Sequence, residues 1–139
     1  MNPERPVYVL DCCAALAYLE GEEGGDEVGD VCRQNAGRVF MHAVNGGEVY
    51  YLTRRSHGIE AADHSVDTLT EMGVLIRDDM DIDFWKDAMS LKADLARISL
   101  ADCYFLAMTR RLNGIGLTTD HHEMDTLVSL NLCDLQFIR

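Results

Sequence analysis

Four acidic side chains, Asp11, Glu48, Asp102 and Asp120, are spread along a chain of 139 residues, yet each falls where an α/β fold can turn it toward one pocket. Asp11 follows the apolar run Val7-Tyr8-Val9-Leu10, and Asp120 follows Gly116-Leu117-Thr118-Thr119, so both read as carboxylates at the carboxyl ends of buried strands. Open parallel sheets bind ligands in that crevice. Carboxylates gathered there repel, by about 4 kcal/mol for a pair roughly 4 Å apart at an effective dielectric near 20, so the group needs a cation. Hard oxygen donors select Mg²⁺ or Mn²⁺, and such an ion activates water and stabilises charge on a phosphoryl group.

Each acid also has a purely structural reading. Ser99-Leu100-Ala101-Asp102 has the S-x-x-D form of a helix cap, with Ser99 accepting from an orphan backbone N–H and Asp102 in the first turn. Asp120, three residues before Glu123, can cap a short last helix, and Asp11 can start its own. Glu48 shares a helical face with Val44, Tyr51 and Leu52, so it falls on a side expected to be buried. A glutamate there must be salt-bridged, for instance to an arginine, or bound to metal. A first-turn carboxylate can cap and still project into a strand-end crevice, and the four together favour function.

The elements that must position these acids follow from punctuation. Both prolines, Pro3 and Pro6, lie at the start, so glycines mark most of the breaks. Strands are expected at Val7 to Leu10, Arg38 to Met41, Val74 to Ile76, Ile115 to Thr119 and Leu135 to Ile138. Helices are expected at Cys13 to Leu19, Gly25 to Gln34, Ala43 to about Arg55, Ile59 to Met72, Asp83 to Leu95, Leu100 to Leu112 and Met124 to Leu130. Strands separated by helices predict a three-layer α/β/α sandwich with a mainly parallel central sheet.

The length suits one compact domain spanning 1–139. No apolar stretch reaches the roughly 18 to 20 residues that cross a bilayer, and Met1 to Pro6 lacks the layout of a secretory signal. A soluble, cytoplasmic protein is expected. The five cysteines include no CxxC pair, which argues against a disulfide framework or a zinc site; Cys12 and Cys13 read as small packed side chains. The net charge of −12 is the oddity for a nucleic-acid partner, because proteins that hold nucleic acid mainly by phosphate contacts are basic. Much of the excess lies in residues 20–27 and 78–83, read as solvated loops and helix starts. Arg54-Arg55 and Arg110-Arg111 read as solvated helix ends able to add local positive potential, His121 and His122 as exposed turn residues or substrate contacts, and Trp85 and Tyr104 as packing residues.

Four blocks carry a family likeness: Val9-Leu10-Asp11-Cys12-Cys13-Ala14-Ala15-Leu16, Val44-Asn45-Gly46-Gly47-Glu48-Val49-Tyr50-Tyr51-Leu52, Ser99-Leu100-Ala101-Asp102-Cys103-Tyr104 and Leu117-Thr118-Thr119-Asp120. In order and spacing they resemble the PIN domain of VapC-type toxin ribonucleases. The resemblance implies an α/β/α domain in which Asp11, Glu48, Asp102 and Asp120 are the metal-binding and catalytic acids, holding Mg²⁺ or Mn²⁺ and cutting RNA. In the implied mechanism water attacks a phosphodiester in line and the ion neutralises the developing charge. It also implies homodimers and inhibition by a cognate antitoxin protein. The chain departs from the family in two places. Cys12 and Cys13 stand where members often have Thr-Ser, Ser-Ser or a nearby Asn, and Asp120-His121-His122-Glu123-Met124 replaces Asp-x-Asp-Phe, shifting a further acid to Glu123.

Two function classes follow. One is a metal-dependent endoribonuclease acting on structured RNA, tRNA included, as the toxin of a toxin-antitoxin pair. The other is a PIN-like protein-interaction module with a weakened site, which the two cysteines favour. A dehalogenase-type phosphatase wants an Asp where Cys13 stands, and a phosphoacceptor receiver wants a late lysine, whereas none follows Lys92.

Overall fold

The computed structural model describes residues 5–139, without the side chains of His122, Glu123 and Thr126. Strands β1 (Tyr8–Leu10), β2 (Val39–His42), β3 (Leu75–Arg77), β4 (Ile115–Thr118) and β5 (Asp134–Phe137) alternate with helices α1 (Cys12–Leu19), α2 (Gly25–Gln34), α3 (Ala43–His57), α4 (Ile59–Glu71), α5 (Ile82–Asp94), α6 (Leu100–Arg111) and α7 (His121–Val128). The sheet order is β3-β2-β1-β4-β5, and every pairing described is parallel. The chain therefore builds outward from β1 to β3, returns to the centre, and builds the other half from β4. That reversal puts a topological switch point between β1 and β4, where strand ends splay into a crevice.

Val9 and Leu10 point to opposite faces of the sheet, as strand geometry demands, and each seeds a core. Leu10 packs with Ala14, Val28, Met41, Leu69 and Leu117 beneath α1, α2 and α4. Val9 packs with Phe84, Leu91, Phe105, Leu106, Met108 and Met124 beneath α5, α6 and α7. Each such buried large side chain contributes about 1.5–3 kcal/mol relative to exposure. The result is the α/β/α sandwich that the alternation of elements predicts. Helix α3 reaches both cores, adding Val49 to the first while Val44 packs on the second, so the helix that carries Glu48 straddles the layers. Gly116 on β4 makes room for the second core: a Cβ there would stand 2.6 Å from Phe105 Cζ.

Boundaries shift where polar residues start or end an element. Helix α1 begins at Cys12 because Asp11 caps it, and α3 continues to His57 until Gly58 adopts a φ of 94°. Helix α7 starts at His121 instead of Met124: its first turn is polar, and the Asp120 carbonyl already accepts from Met124 N–H at 3.1 Å. It ends at Val128, before Asn131 turns to a φ of 52°. On the edge strand β3 the buried residue is Val74, just ahead of it, while Leu75 and Ile76 are exposed. No helix among the described residues is long and apolar enough to cross a membrane.

Candidate active site

Asp11 lies one step past β1, its N–H reaching Leu117 O across the switch point at 3.3 Å. It is 2% exposed. Its Oδ1 accepts from Ala14 N–H at 2.8 Å, the N-cap bond of α1. Burial drives its pKa up to about 7, with the charges of Asp120 and Glu48 adding to the rise and hydrogen bonds from the Thr118 hydroxyl and the Ala14 N–H opposing it. Asp11 is thus a carboxyl group that the fold keeps oriented but makes reluctant to ionise.

Thr118 is fully buried. While its hydroxyl donates to Asp11, the same oxygen accepts from Asp120 N–H at 3.0 Å. One side chain at the end of β4 therefore ties the first acid to the fourth.

Glu48 arrives from α3, whose start is fixed by His42. The ring of His42 is 1% exposed, stacked on Phe84 at 5.1 Å and tilted against Tyr104 at 5.0 Å. Its Nδ1 accepts from Val44 N–H at 3.0 Å while its Nε2 meets the Asp79 carbonyl at 2.9 Å. These partners assign the neutral tautomer with the proton on Nε2. One turn along, the buried amide of Asn45 donates to Glu48 Oε1 at 3.4 Å and to Ala101 O at 3.0 Å. Ala101 immediately precedes Asp102 on α6, where Ser99 Oγ caps the helix by accepting from Asp102 N–H at 3.1 Å. Asp102 accordingly fulfils the capping pattern and faces the cleft at once.

Asp11, Glu48, Asp102 and Asp120 line one cleft of about 220 Å³, with Ser99, Cys12 and Cys13 between them and Leu16 and Leu52 as apolar walls. No lysine or arginine is among these lining residues. The donor set, four carboxylate groups from four segments, fits a hard divalent cation. Among the described residues no three His, Cys, Asp or Glu side chains already converge as a ready-made ligand cluster, so an ion would have to draw the carboxylates inward. A larger cavity of about 690 Å³ lies between the end of α1 and helices α3 and α4, but it gathers His57, His64 and a single carboxylate, Glu20, and lacks the switch-point position.

All five cysteines are free. Cys12 is buried and Cys13 exposed at the cleft. Displaced water and the charges of Asp11, Asp120 and Asp102 push the Cys13 thiol up to about 12, against a hydrogen bond involving Thr119, and burial likewise raises Cys12. Both remain protonated thiols at neutral pH and are poor nucleophiles.

His121 is a clasp for the chain end. Its Nδ1 meets Asp125 Oδ1 at 2.8 Å, its Nε2 meets Arg139 O at 2.7 Å, and its ring stacks on Phe137 at 4.2 Å. Both partners are acceptors and so favour the doubly protonated ring; the Arg139 carbonyl first and Asp125 second raise its pKa. The side chains of His122 and Glu123 lie outside the described residues. Tyr104 packs as expected, whereas Trp85 is 39% exposed, because α5 buries the face of Phe84, Ala88 and Leu91. Arg111 is an ion-pair residue, bound to Asp79 and Asp81, and Arg110 pairs with Asp87. Arg54 and Arg55 do close an exposed helix end, with Arg55 over the Tyr51 ring at 5.3 Å.

Residue-type reasoning overlooks Asn45, Thr118 and His42. Asn45 is detectable as a polar residue one turn before Glu48 on a face expected to be buried, and Thr118 as a hydroxyl two residues before Asp120. For His42 the sequence carries no comparable signal.

The fold is shared with solved structures of low identity. A chain of the DNA-bound VapBC2 complex from Rickettsia felis superposes with a TM-score of 0.72 at 13% identity, covering 94% of this chain and 98% of that one. A chain of DNA-bound VapBC from Salmonella typhimurium gives 0.72 at 15% identity, over 97% and 100%. VapC20 of Mycobacterium tuberculosis, a toxin that cleaves the sarcin-ricin loop, gives 0.66 at 17% identity, over 86% and 94%. No curated protein matches. The family model described as PIN domain matches residues 8–126, a span that takes in all four cleft acids. The chain belongs to the PIN domain family.

Proposed function

We propose that this protein is a Mg²⁺- or Mn²⁺-dependent endoribonuclease that hydrolyses RNA phosphodiester bonds, acting as the toxin of a toxin-antitoxin pair. The observation that carries the reading is the meeting of Asp11, Glu48, Asp102 and Asp120, from four separate segments, in one cleft at the switch point. These four acids hold the ion. When bound, it supplies positive charge for the phosphoryl oxygens and a more acidic water. The protein's own contribution is orientation: Ala14 N–H and Thr118 aim Asp11, and Asn45 steadies Glu48. To hold an ion Asp11 would have to lose its proton to solvent or buffer, and Leu16 and Leu52 wall one side of the cleft with apolar surface.

An acidic chain needs local help to hold RNA. Tyr51 and Arg55 follow Glu48 at i+3 and i+7 on α3, and with Arg55 over the Tyr51 ring at 5.3 Å they offer RNA an exposed cation and aromatic ring on the helix that carries Glu48. A homodimer inhibited by a cognate antitoxin is the assembly that fits this family, and five free cysteines accord with a reducing, cytoplasmic setting. Metal-stripped protein refilled with Mn²⁺ and given structured RNA, including tRNA and a sarcin-ricin-type loop, tests the reading. Wild type should cut and Asp11→Asn should not; equal cleavage by both would remove Asp11 from the mechanism.

A second reading, a PIN-like interaction module that does not cut, is favoured by Cys12 and Cys13 beside Asp11. It requires that folded wild type take up no Mn²⁺ in a calorimetric titration.

A further inference from the structure

Two buried polar side chains from outside the acid set, Thr118 and Asn45, each reach two of the segments that carry the acids. Thr118 ties Asp11 to Asp120. The second tie is Asn45, and we propose that it is a positioning residue that sets Glu48 against Asp102 and thereby governs how tightly the cleft takes a divalent cation. The inference rests on the cation-site reading above.

Asn45 is 0% exposed. Both protons of its amide are committed, one to Glu48 Oε1 at 3.4 Å and one to Ala101 O at 3.0 Å. The two acceptors fix the amide orientation, since the flipped group would turn an oxygen toward two oxygens. Its bonds span two helices that are far apart in sequence, joining the α3 acid to the first turn of α6, one residue before Asp102. A shift of either helix along the other would therefore break one of the two bonds.

The remaining atom makes a stability role a poor explanation. Asn45 Oδ1 is the one buried side-chain N or O atom among the described residues that has no hydrogen-bond partner. A buried acceptor without a donor is destabilising, and an apolar residue of similar volume would serve packing better. The amide is kept for what its N–H groups hold. Groups that orient a ligand rather than bind the ion typically change metal affinity by about 10–100-fold when lost.

The test is a double-mutant cycle on Mn²⁺ affinity, measured by calorimetry, with Mn²⁺ electron paramagnetic resonance for weak variants. Asn45→Ala should bind Mn²⁺ about 10–100-fold more weakly than wild type. In a Glu48→Ala background the same substitution should change affinity by no more than about twofold, because its target is gone. In an Asp120→Asn background it should keep its full effect, because the amide bonds of Asn45 go to Glu48 and Ala101. Asn45→Thr, which retains one short donor, should recover part of the affinity, and it replaces Asn45→Ala if that variant does not fold. Wild-type affinity in Asn45→Ala, or an equal loss with and without Glu48, would overturn the positioning role. Folded wild type that binds no Mn²⁺ would overturn the cation-site reading itself, and this role with it.

Discussion

Asp11 and Asp81 are both helix N-caps, accepting from Ala14 N–H and Phe84 N–H respectively, yet their surroundings drive their protons in opposite directions. Asp11 is buried among acids, and its pKa rises to about 7. Asp81 is held by Arg111 and falls to about 2. Its neighbour Asp79 is lowered too, by Arg77 first and then Arg111, and Arg111 also lies over the Phe84 ring at 5.1 Å. Around residues 77–81 the fold supplies its own cations, and the acids lock a loop to the end of α6. At the switch point the lining offers Asp11 further carboxylates instead. Like residues are thus paired with arginines in one place and gathered without lysine or arginine in the other, which is the contrast on which the proposed cation site rests.

The largest expected effect comes from removing Asp11, the buried acid whose pKa burial raises to about 7. Asp11→Asn should lower Mn²⁺-dependent RNA cleavage by more than about a hundredfold, since groups that only orient ligands already cost about 10–100-fold. The metal-free variant should not melt earlier at pH 8. The sign follows from the raised pKa: the Asp11 contribution to stability is complete below the unfolded value near 3.8 and is lost as pH rises through about 7. An earlier melt of Asp11→Asn at pH 8 would contradict that.

Metal uptake should carry the same signature. Mn²⁺ affinity is expected to fall about tenfold per pH unit below 7, as far as Asp11 alone must deprotonate, and to level off above it. Affinity that stays flat from pH 5.5 to 8 would move the proton-releasing group elsewhere. At a free Mn²⁺ concentration about 100 times its dissociation constant, the folded state should gain about 2.7 kcal/mol, read as a higher melting temperature.

Arg111→Ala sharpens the contrast from the other side. The lowered pKa of Asp81 means that its contribution is present above about 3.8 and lost as pH falls toward about 2. The substitution should lower the melting temperature at pH 7, lower it less at pH 2, and less again in high salt, because these groups are exposed and screened. Mn²⁺ affinity should hardly move; a large loss would mean that the two acidic regions are not separate.

The architecture is readable because helix and strand periods alternate along the chain, and because buried strands such as Val7 to Leu10 end in Asp11. Parallel pairing and the position of the switch point then bring Asp11 and Asp120 to one crevice. Glu48 is legible from its helical face, and Asp102 from the capping pattern with Ser99. The start of α7 is not, because hydrophobic periodicity is silent over a polar first turn. Asn45 and Thr118 stand inside the motif blocks, yet spacing assigns them no role. What they do depends on a backbone carbonyl and an N–H supplied by distant or freshly turned segments. The ion pairs of Arg111 escape for the same reason, since they join residues 79 and 81 to the far end of another helix.

Calorimetric titration of Mn²⁺ into metal-stripped wild type and Asp11→Asn at pH 6, repeated in two buffers of different ionisation enthalpy, tests the central claim most directly. Saturable binding to wild type with release of a proton, absent or greatly weakened in a folded Asp11→Asn, is the predicted result. No binding to folded wild type, or the same affinity and proton release in both proteins, would contradict it.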